Sequence, residues 1–525
     1  MPAIVVLTRA AIAAVLILLT AAAAPNVTFA QSGLRVPTDA GEVEGLWLDR
    51  LRVFKGIPYA APPVGDLRWR APQAAARWTG VRQAYDFGPA CPQASSKAIA
   101  LADMSEDCLT LNVWSPARRA GARLPVMVWI HGGAFETGSA SMPIYDGSSL
   151  ASKGIVMVTL NYRLGFFGFF GHPQLTEEAK AESVPTANYG LLDQIAALVW
   201  VKRNIEAFGG DPANVTLFGE SAGGVSVLAL MTAPAARGLF QKAIVQSGGG
   251  RWVAPTLTAR SGKFLAAHEI GEKAARAFRL PPDSPIADLR KKSWEDIQET
   301  LRLPEIADHT PFLDGQLLTD QMETVFSRGG QAPVPMIVGS NSYEGVLLRK
   351  AFHVSSNEVM RAAGPQLDAL SVLYPPQLFM TPDFLADHIW GDANFVEPAR
   401  MIARNVSRAG QPVYHFGFDF QPPLLRLLGG SPHGLEVAYA LGNLKRIVPF
   451  PLNVLMHRHN YEVSRLMMIY WTNFARTGDP NSRGELAWPR FNAADEETLV
   501  FGNEGLFVER DYLKERLDLF KDIAF

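Results

Sequence analysis

The chain has 525 residues, of which 48% are hydrophobic and 19% are charged, so it can form one large core or two domains. Its 49 basic and 51 acidic residues leave a net charge of −2, and no basic stripe is visible, which argues against a nucleic-acid partner. The C-x-x-C and H-E-x-x-H spacings of common metal sites are missing, so we expect neither a metal nor a cofactor.

The first 30 residues differ in composition from the rest. Arg9 precedes an apolar stretch at residues 10–24, and a small-residue site at 28–30 follows it. This layout is typical of a secretory signal peptide. A membrane anchor is the alternative, but the stretch is shorter than the roughly 20 apolar residues that span a bilayer. We expect cleavage after Ala30 and a secreted or periplasmic protein without a stable membrane anchor.

Cys91 and Cys108 are the only cysteines of the chain. In an exported protein, two cysteines this close in sequence predict one disulfide that closes a small loop. Such a loop contributes about 3 kcal/mol in the chain-entropy model. Two buried free thiols are the alternative.

Short apolar runs typical of buried strands alternate with stretches of helical spacing. The runs cover residues 124–130, 154–160, 214–218, 242–246, 334–339 and 413–418. Their nearly continuous apolar character is expected of strands covered on both faces of a mostly parallel sheet. Between Tyr189 and Phe208, apolar residues recur at helical spacing until Gly209. The alternation predicts a doubly wound α/β fold, and the helix-rich segments 255–333 and 351–410 could form a cap.

A glycine-rich turn, His131-Gly132-Gly133-Ala134-Phe135, directly follows the first of these strands. Consecutive small residues let several backbone N–H groups converge on one oxygen atom, which is what stabilisation of an oxyanion requires. A plain glycine turn without chemistry is the alternative.

The strand at 214–218 is followed by a G-x-S-x-G pattern centred on Ser221, and then by the small and apolar residues of a buried helix start. A sharp strand-to-helix turn of this kind holds a serine nucleophile at a strained corner. The neighbours are small because the backbone there is cramped. Ser221 is therefore the candidate nucleophile, and the amide of Ala222 a candidate oxyanion donor. A glycine and serine turn without chemistry is the alternative.

A serine nucleophile needs a base and an orienting acid, which in α/β-hydrolases follow it in the order Ser, Asp or Glu, His. Glu344 is the only acid in the turn directly after the strand at 334–339. His433 lies in a loop past the strand at 413–418, whereas His415 falls within that strand. Order and context favour Glu344 and His433. The alternatives are a solvated loop carboxylate and an ordinary loop histidine.

Taken together, these segments resemble the type-B carboxylesterase family, which includes cholinesterases, bacterial para-nitrobenzyl esterases and fungal lipases. The resemblance runs from about Gly41 to the C-terminus. The matching segments are residues 54–60, 62–65, 105–114, 131–135, 219–224, 341–345 and 433–437. The resemblance implies an α/β-hydrolase fold, with a large, mostly parallel central sheet, helices on both faces and helical cap insertions. It also implies a single catalytic domain over residues 31–525, with its site at the bottom of a gorge.

The resemblance assigns roles to individual residues as well. It implies a catalytic triad of Ser221, Glu344 and His433. It places the oxyanion-hole amides on Gly133, Ala134 and Ala222. It also supports the disulfide between Cys91 and Cys108, which is similar to the family's first disulfide.

The chain departs from cholinesterases within the loop that this disulfide would close. Residues 92–107 contain no aromatic residue, whereas cholinesterases carry there a tryptophan that stacks on the choline ammonium. Choline-ester specificity is therefore not expected. The lack of further cysteines resembles the smaller bacterial members of the family.

We expect a serine carboxylesterase that cleaves small to medium, apolar esters of small molecules through an acyl-enzyme intermediate. Phe135 and Trp252 are candidate pocket walls, with core packing as the alternative. Glu220 either tunes His433 or a water molecule, or only satisfies buried backbone donors. Specialised hydrolysis of carbamates, lactones, aromatic diesters or polyesters is a second reading, because pocket shape sets specificity. A non-catalytic binding homologue is a third, although all three triad positions hold competent residues.

Overall fold

The computed structural model describes residues 34–523 apart from 95–102, 252, 263, 303–305, 307–308, 347, 375–380 and 448–457. The predicted signal peptide at 1–30 and the candidate pocket residue Trp252 lie outside the described residues. None of the described helices is both long and apolar enough to cross a bilayer.

Thirteen strands of the described chain form one sheet. In chain order they are β1 Leu34–Pro37, β2 Glu42–Leu48, β3 Leu51–Pro58, β4 Val81–Gln83, β5 Thr110–Ser115, β6 Leu124–Ile130, β7 Val156–Leu160, β8 Gly210–Glu220, β9 Lys242–Gln246, β10 Met336–Asn341, β11 Val413–Phe418, β12 Thr498–Gly502 and β13 Gly505–Glu509. Their spatial order is β1-β2-β3-β5-β7-β6-β8-β9-β10-β11-β12-β13, and β4 pairs with β2.

The centre of the sheet is parallel and its edges are antiparallel. Each neighbouring pair in the run β7-β6-β8-β9-β10-β11-β12 is parallel. On one side of this run, the neighbouring strands in the order β1-β2-β3-β5-β7 pair antiparallel. On the other side, β13 pairs antiparallel with β12. The parallel centre confirms the predicted sheet, and it brings the carboxyl ends of β6, β8, β9, β10 and β11 to one edge.

Three predicted strand starts were wrong. β8 begins at Gly210 rather than at residue 214, because Gly210 already pairs with Leu124 of β6 before an irregularity in the ladder. The other two starts differ for a local reason. Gly154 has φ +84°, a turn conformation, and β7 begins only at Val156. Pro335 cannot donate an amide to the ladder, and β10 begins at Met336. The predicted strands β6, β9 and β11 have the bounds expected from the sequence.

Helices connect the strands and cover both faces of the sheet. They are α1 Ser148–Ala151, α2 Gly165–Gly168, α3 Pro173–Glu182, α4 Tyr189–Asn204, α5 Ala222–Thr232, α6 Ala267–Ala277, α7 Ile286–Arg290, α8 Trp294–Thr300, α9 Met322–Ser327, α10 Leu348–Ala351, α11 Ser356–Ala363, α12 Leu367–Leu373, α13 Pro382–Gly391, α14 Glu397–Arg408, α15 Leu435–Ala440, α16 Leu444–Ile447, α17 Arg458–Thr477 and α18 Lys514–Leu517. A π-helix, Asp392–Val396, joins α13 to α14.

Alternate side chains of the central strands enter different cores, as two-sided burial requires. On β6, Val128 belongs to the core that contains Val227 of α5. Its neighbour Trp129 belongs to the core that contains Met467 of α17. Both cores are closed to solvent at the sheet, which confirms helices on both faces.

The predicted cap segments are helical in the structure, with α6 to α9 in the first and α11 to α14 in the second. A third, smaller apolar cluster joins the second segment to the C-terminal residues and includes Val359, Ile389 and Phe520. This segment therefore has its own apolar packing beside the sheet.

Candidate active site

Ser221 occupies a strained corner between β8 and α5. Its φ of 55° and ψ of −127° lie outside the regions that a serine ordinarily adopts. Its amide donates a hydrogen bond of 3.0 Å to the carbonyl of Gln246, at the end of the neighbouring strand β9. The strand-turn-helix geometry is that of a nucleophile elbow.

Close backbone packing explains the glycines of the elbow. A Cβ atom at Gly223 would lie 2.1 Å from the carbonyl oxygen of Ile130, at the end of β6. A Cβ atom at Gly224 would lie 2.8 Å from the Cα of Gly248. Any larger side chain would push α5 away from the ends of β6 and β9, so the local sequence determines where Ser221 stands.

The glycine-rich turn after β6 lies beside this corner. A Cβ atom at Gly132 would approach the Cβ of Ser221 to 3.0 Å. The next residues have left-handed backbone conformations, with φ values of 112° at Gly133 and 55° at Ala134. Within the described part of the chain, the amides of Gly133, Ala134 and Ala222 have no hydrogen-bond acceptor. They are free to bind an oxygen atom from outside the protein.

Glu344 and His433 meet although 89 positions separate them. The Nδ1 atom of His433 lies 2.5 Å from Oε2 of Glu344, a hydrogen bond between a ring N–H and a carboxylate. The other carboxylate oxygen of Glu344 accepts hydrogen bonds of 2.6 Å from the hydroxyl of Ser247 and from the amide of Asn341. These bonds fix the carboxylate, which in turn orients the imidazole.

Asn341 ties the two loops together. Its side-chain amide donates to the carbonyl of Pro432 at 2.8 Å and to Oε2 of Glu436 at 2.5 Å. Gln246 donates to the other oxygen of Glu436 at 3.1 Å. The turn after β10 and the loop that carries His433 are therefore held by buried side-chain bonds rather than by regular secondary structure.

The second ring nitrogen of His433 faces the elbow. Its Nε2 atom lies 3.1 Å from Oε1 of Glu220, the residue immediately before Ser221. Among the described residues, neither Nε2 of His433 nor Oε1 of Glu220 has a well-aligned hydrogen-bond partner. No hydrogen bond joins His433 to the hydroxyl of Ser221 in this arrangement, and Nε2 is left without a fixed partner.

Three buried carboxylates determine the charge of the imidazole. Burial alone would lower the pKa of His433, but the negative charges around it, that of Glu220 first, outweigh burial and raise the pKa to about 9. Burial raises the pKa of Glu220 to about 8, and Glu436 and Glu344 add to the rise while His433 opposes it. Burial likewise raises the pKa of Glu436. His433 and Glu220 therefore titrate as a coupled pair.

Aromatic rings flank the cluster. The ring of Phe395, within the π-helix, lies 4.9 Å from the ring of His433 and is partly exposed. The candidate pocket residue Phe135 is largely buried, and its ring packs 4.8 Å from that of Phe169.

Cys91 and Cys108 form the predicted disulfide.

Sequence reasoning missed several residues of this cluster. Ser247 and Phe395 carry no motif, and only the folded chain brings them to Glu344 and His433. Asn341 and Glu436 lie inside the segments that carried the family resemblance, but no role followed from their position in the sequence.

Comparison with known proteins places this chain among esterases. Residues 32–366 and 385–520 match the model of the carboxylesterase family. The para-nitrobenzyl esterase of Bacillus subtilis (strain 168) is 36% identical over 505 residues, which cover 92% of this chain and 97% of that protein. The fumonisin B1 esterase of Sphingopyxis macrogoltabida is 34% identical over 482 residues, 89% of this chain and 86% of that protein. A solved carboxylesterase of Geobacillus stearothermophilus has a TM-score of 0.80 at 33% identity, and the match covers 93% of this chain and 100% of that one.

Proposed function

The chain belongs to the carboxylesterase family and is a carboxylic ester hydrolase, and from this premise we propose that it works through a triad of Ser221, Glu344 and His433. The observation that carries the proposal is the position of His433. One ring nitrogen is bonded to Glu344 at 2.5 Å, and the other lies 3.1 Å from the carboxylate next to Ser221. A neutral imidazole that donates its Nδ1–H to Glu344 keeps Nε2 as the acceptor for the serine proton.

The reaction has two steps. The hydroxyl of Ser221 attacks the ester carbonyl while His433 takes its proton, and Glu344 stabilises the imidazolium that forms. The tetrahedral intermediate expels the alcohol, which receives the proton from His433. Water, deprotonated in turn by His433, then attacks the acyl-serine. The second tetrahedral intermediate releases the carboxylic acid and expels the oxygen of Ser221, which takes the proton back from His433.

The amides of Gly133, Ala134 and Ala222 are the proposed oxyanion hole. Their freedom from internal acceptors supports this role, since a donor already satisfied within the protein has nothing to offer the intermediate. Removal of one such donor typically lowers kcat by about 100- to 1,000-fold.

Small to medium, apolar esters are the proposed substrates. The partly exposed ring of Phe395 against His433 offers an apolar wall beside the reacting groups. A panel of para-nitrophenyl esters of increasing acyl length measures this preference. A maximum among charged or long-chain acyl groups would contradict it.

Replacement of the nucleophile tests the mechanism. Ser221→Ala is expected to lower kcat/KM for para-nitrophenyl butyrate by about four orders of magnitude or more. Ser327→Ala, at an exposed serine that bonds only to the carbonyl of Thr324, is the matched control. A phosphonate inhibitor is expected to label one peptide, the one containing Ser221, as read by mass spectrometry. Residual activity near that of the control, or a label elsewhere, excludes Ser221.

We also propose that the protein is exported after cleavage at Ala30. The disulfide between Cys91 and Cys108 supports this, because such bonds persist in oxidising compartments. The mass of the exported protein tests this proposal. The chain is expected to begin at Gln31, and a mass that still includes residues 1–30 contradicts cleavage.

A further inference from the structure

A buried glutamine in the loop closed by the disulfide forms hydrogen bonds to the segment that follows the glycine-rich turn. Gln93 is 2% exposed and lies two residues after Cys91. Its Oε1 accepts a hydrogen bond of 2.8 Å from the amide of Gly138, and its Nε2 donates one of 2.8 Å to the carbonyl of the same residue. Nε2 also donates to the carbonyl of Cys91 at 3.0 Å. One side chain thus satisfies both backbone groups of Gly138 and anchors itself beside the disulfide.

Gly138 packs against the start of the turn. Its φ is +119°, and a Cβ atom there would lie 2.4 Å from Nδ1 of His131 and 2.8 Å from the carbonyl oxygen of Gly132. Only a residue without a Cβ atom fits here, so residue 138 packs directly against residues 131 and 132. A shift of Gly138 towards them would therefore press on the turn that presents Gly133 and Ala134.

The opposite end of the segment is anchored separately. Asn161, directly after β7, accepts a hydrogen bond of 2.8 Å from the amide of Ala140 and donates one of 2.9 Å to the carbonyl of Pro89. Two further bonds hold the turn itself: the hydroxyl of Tyr162 donates to the carbonyl of His131 at 2.8 Å, and the amide of Gly165 donates to the carbonyl of Phe135 at 2.7 Å. Among these anchors within the described residues, Gln93 is the one that bonds to Gly138, which packs against His131 and Gly132.

We propose that Gln93 is a positioning residue for the oxyanion hole, which it holds in place through Gly138. This rests on the proposed function of Gly133 and Ala134. Preorganised donors stabilise a transition state only if they stand where its charge develops, and a displacement of about 1 Å can cost up to about 100-fold in rate. The contact also couples the loop closed by the disulfide to catalysis, since Gln93 bonds to the carbonyl of Cys91 as well as to Gly138.

Gln93→Met tests the proposal because it keeps the length of the side chain and removes all three hydrogen bonds. Gln73→Met is the control, since Gln73 is exposed and its side chain bonds only to the carbonyl of Ala71. We expect kcat/KM of Gln93→Met to fall by about tenfold at nearly unchanged KM. Affinity for a trifluoromethyl ketone, whose adduct with Ser221 carries an oxyanion, is expected to fall by the same factor. All assays are run well below the unfolding temperature of each variant.

A purely structural role predicts another result. In that case the unfolding temperature of Gln93→Met falls, but kcat/KM and ketone affinity of the folded protein equal those of the control, and the proposal is overturned. A loss confined to KM also overturns it. Failure of the proposed function would look different, because Ser221→Ala would then keep its activity whatever stands at position 93.

Gln93→Glu supplies a second readout if Gln93→Met does not fold. The introduced carboxyl group always accepts from the amide of Gly138, but donates to the carbonyl only when protonated. Its activity relative to the wild type at the same pH is therefore expected to decrease as pH rises. A ratio that does not change with pH contradicts a role for the donated bond.

Discussion

The elbow that carries Ser221 and the proposed acid-base side of the candidate site are held in place by different kinds of interaction. The elbow is one continuous stretch at the end of β8, and steric contact between backbones fixes it: Gly223 touches the end of β6, and Gly224 touches Gly248. The acid-base side brings together three distant stretches, around residues 247, 344 and 433, through side-chain hydrogen bonds and charge. Steric contact permits one arrangement, whereas hydrogen bonds and charges can be weakened step by step. Damage to the elbow is thus expected to abolish activity, and damage to the acid-base side to reduce it in degrees.

Overfilling the elbow is expected to have the largest effect. In Gly223→Ala the new methyl group would lie 2.1 Å from the carbonyl oxygen of Ile130, so β6 and α5 must separate. We expect activity to be lost and the free energy of unfolding to fall by about 3 kcal/mol, measured by urea denaturation.

Gly330→Ala is the control, because its nearest contact would be a valine methyl group at 3.2 Å. If Gly223→Ala is as active and as stable as this control, steric packing does not hold the elbow.

Loosening the acid-base side is expected to have an intermediate effect. Asn341→Leu keeps the branching of the side chain and its number of heavy atoms, but removes the hydrogen bonds to Pro432 and Glu436 that join the turn of Glu344 to the loop of His433. We expect kcat/KM to fall by about 10- to 100-fold while the protein still folds.

Asn357→Leu, at an exposed position of α11, controls for the added apolar surface. If Asn341→Leu loses as much activity as Ser221→Ala, the acid-base side tolerates change no better than the elbow, and the proposed difference between the two regions is wrong.

Removing one charge from the acid-base side is expected to have the smallest effect and to shift a pH profile. In the proposed mechanism activity requires neutral His433, so kcat/KM is expected to rise with pH as the imidazole loses its proton. The charge of Glu220 is the largest influence that raises the pKa of His433, and Glu220→Gln is therefore expected to move the inflection to lower pH. Glu299→Gln, at an exposed glutamate, is expected to leave it in place. An inflection that stays or moves upward in Glu220→Gln contradicts this coupling.

The same variant changes how stability depends on pH. The pKa of His433 is raised to about 9, so the stability it contributes is complete below its unfolded pKa and is lost as pH rises through 9. The pKa of Glu220 is raised from 4.5 to about 8, so its contribution also falls as pH rises through that window. Urea midpoints of the wild type are expected to fall from pH 5 to pH 9, and those of Glu220→Gln to fall less.

The sequence revealed the elbow far better than the acid-base side, for a physical reason. The determinants of the elbow are contiguous: an apolar strand, small residues where backbones touch, and a helix start around Ser221. Chain order was enough to nominate Glu344 and His433, and the structure places them in hydrogen-bond contact. Ser247 and Gln93 gave no signal, because a single serine or glutamine has no periodicity and its partner lies 97 or 45 positions away.

The sequence predicted which strands form more accurately than it predicted the residues at which they begin. The start of β7 depended on the turn conformation of Gly154, and that of β10 on Pro335, which lacks an amide hydrogen. Apolar content alone does not register such backbone constraints, although it identified the buried strands themselves.

The π-helix at Asp392–Val396 makes the number of residues in one helical turn part of the proposed site, because this turn carries Phe395. A π turn contains about one residue more than an α turn, and this surplus is accommodated where Phe395 meets the imidazole of His433. Deletion of one residue here would restore regular winding and rotate the start of α14 by about 100° relative to α13. Homologues that differ by a single insertion or deletion at this point are therefore expected to present a different surface to the imidazole, even where every motif residue is identical.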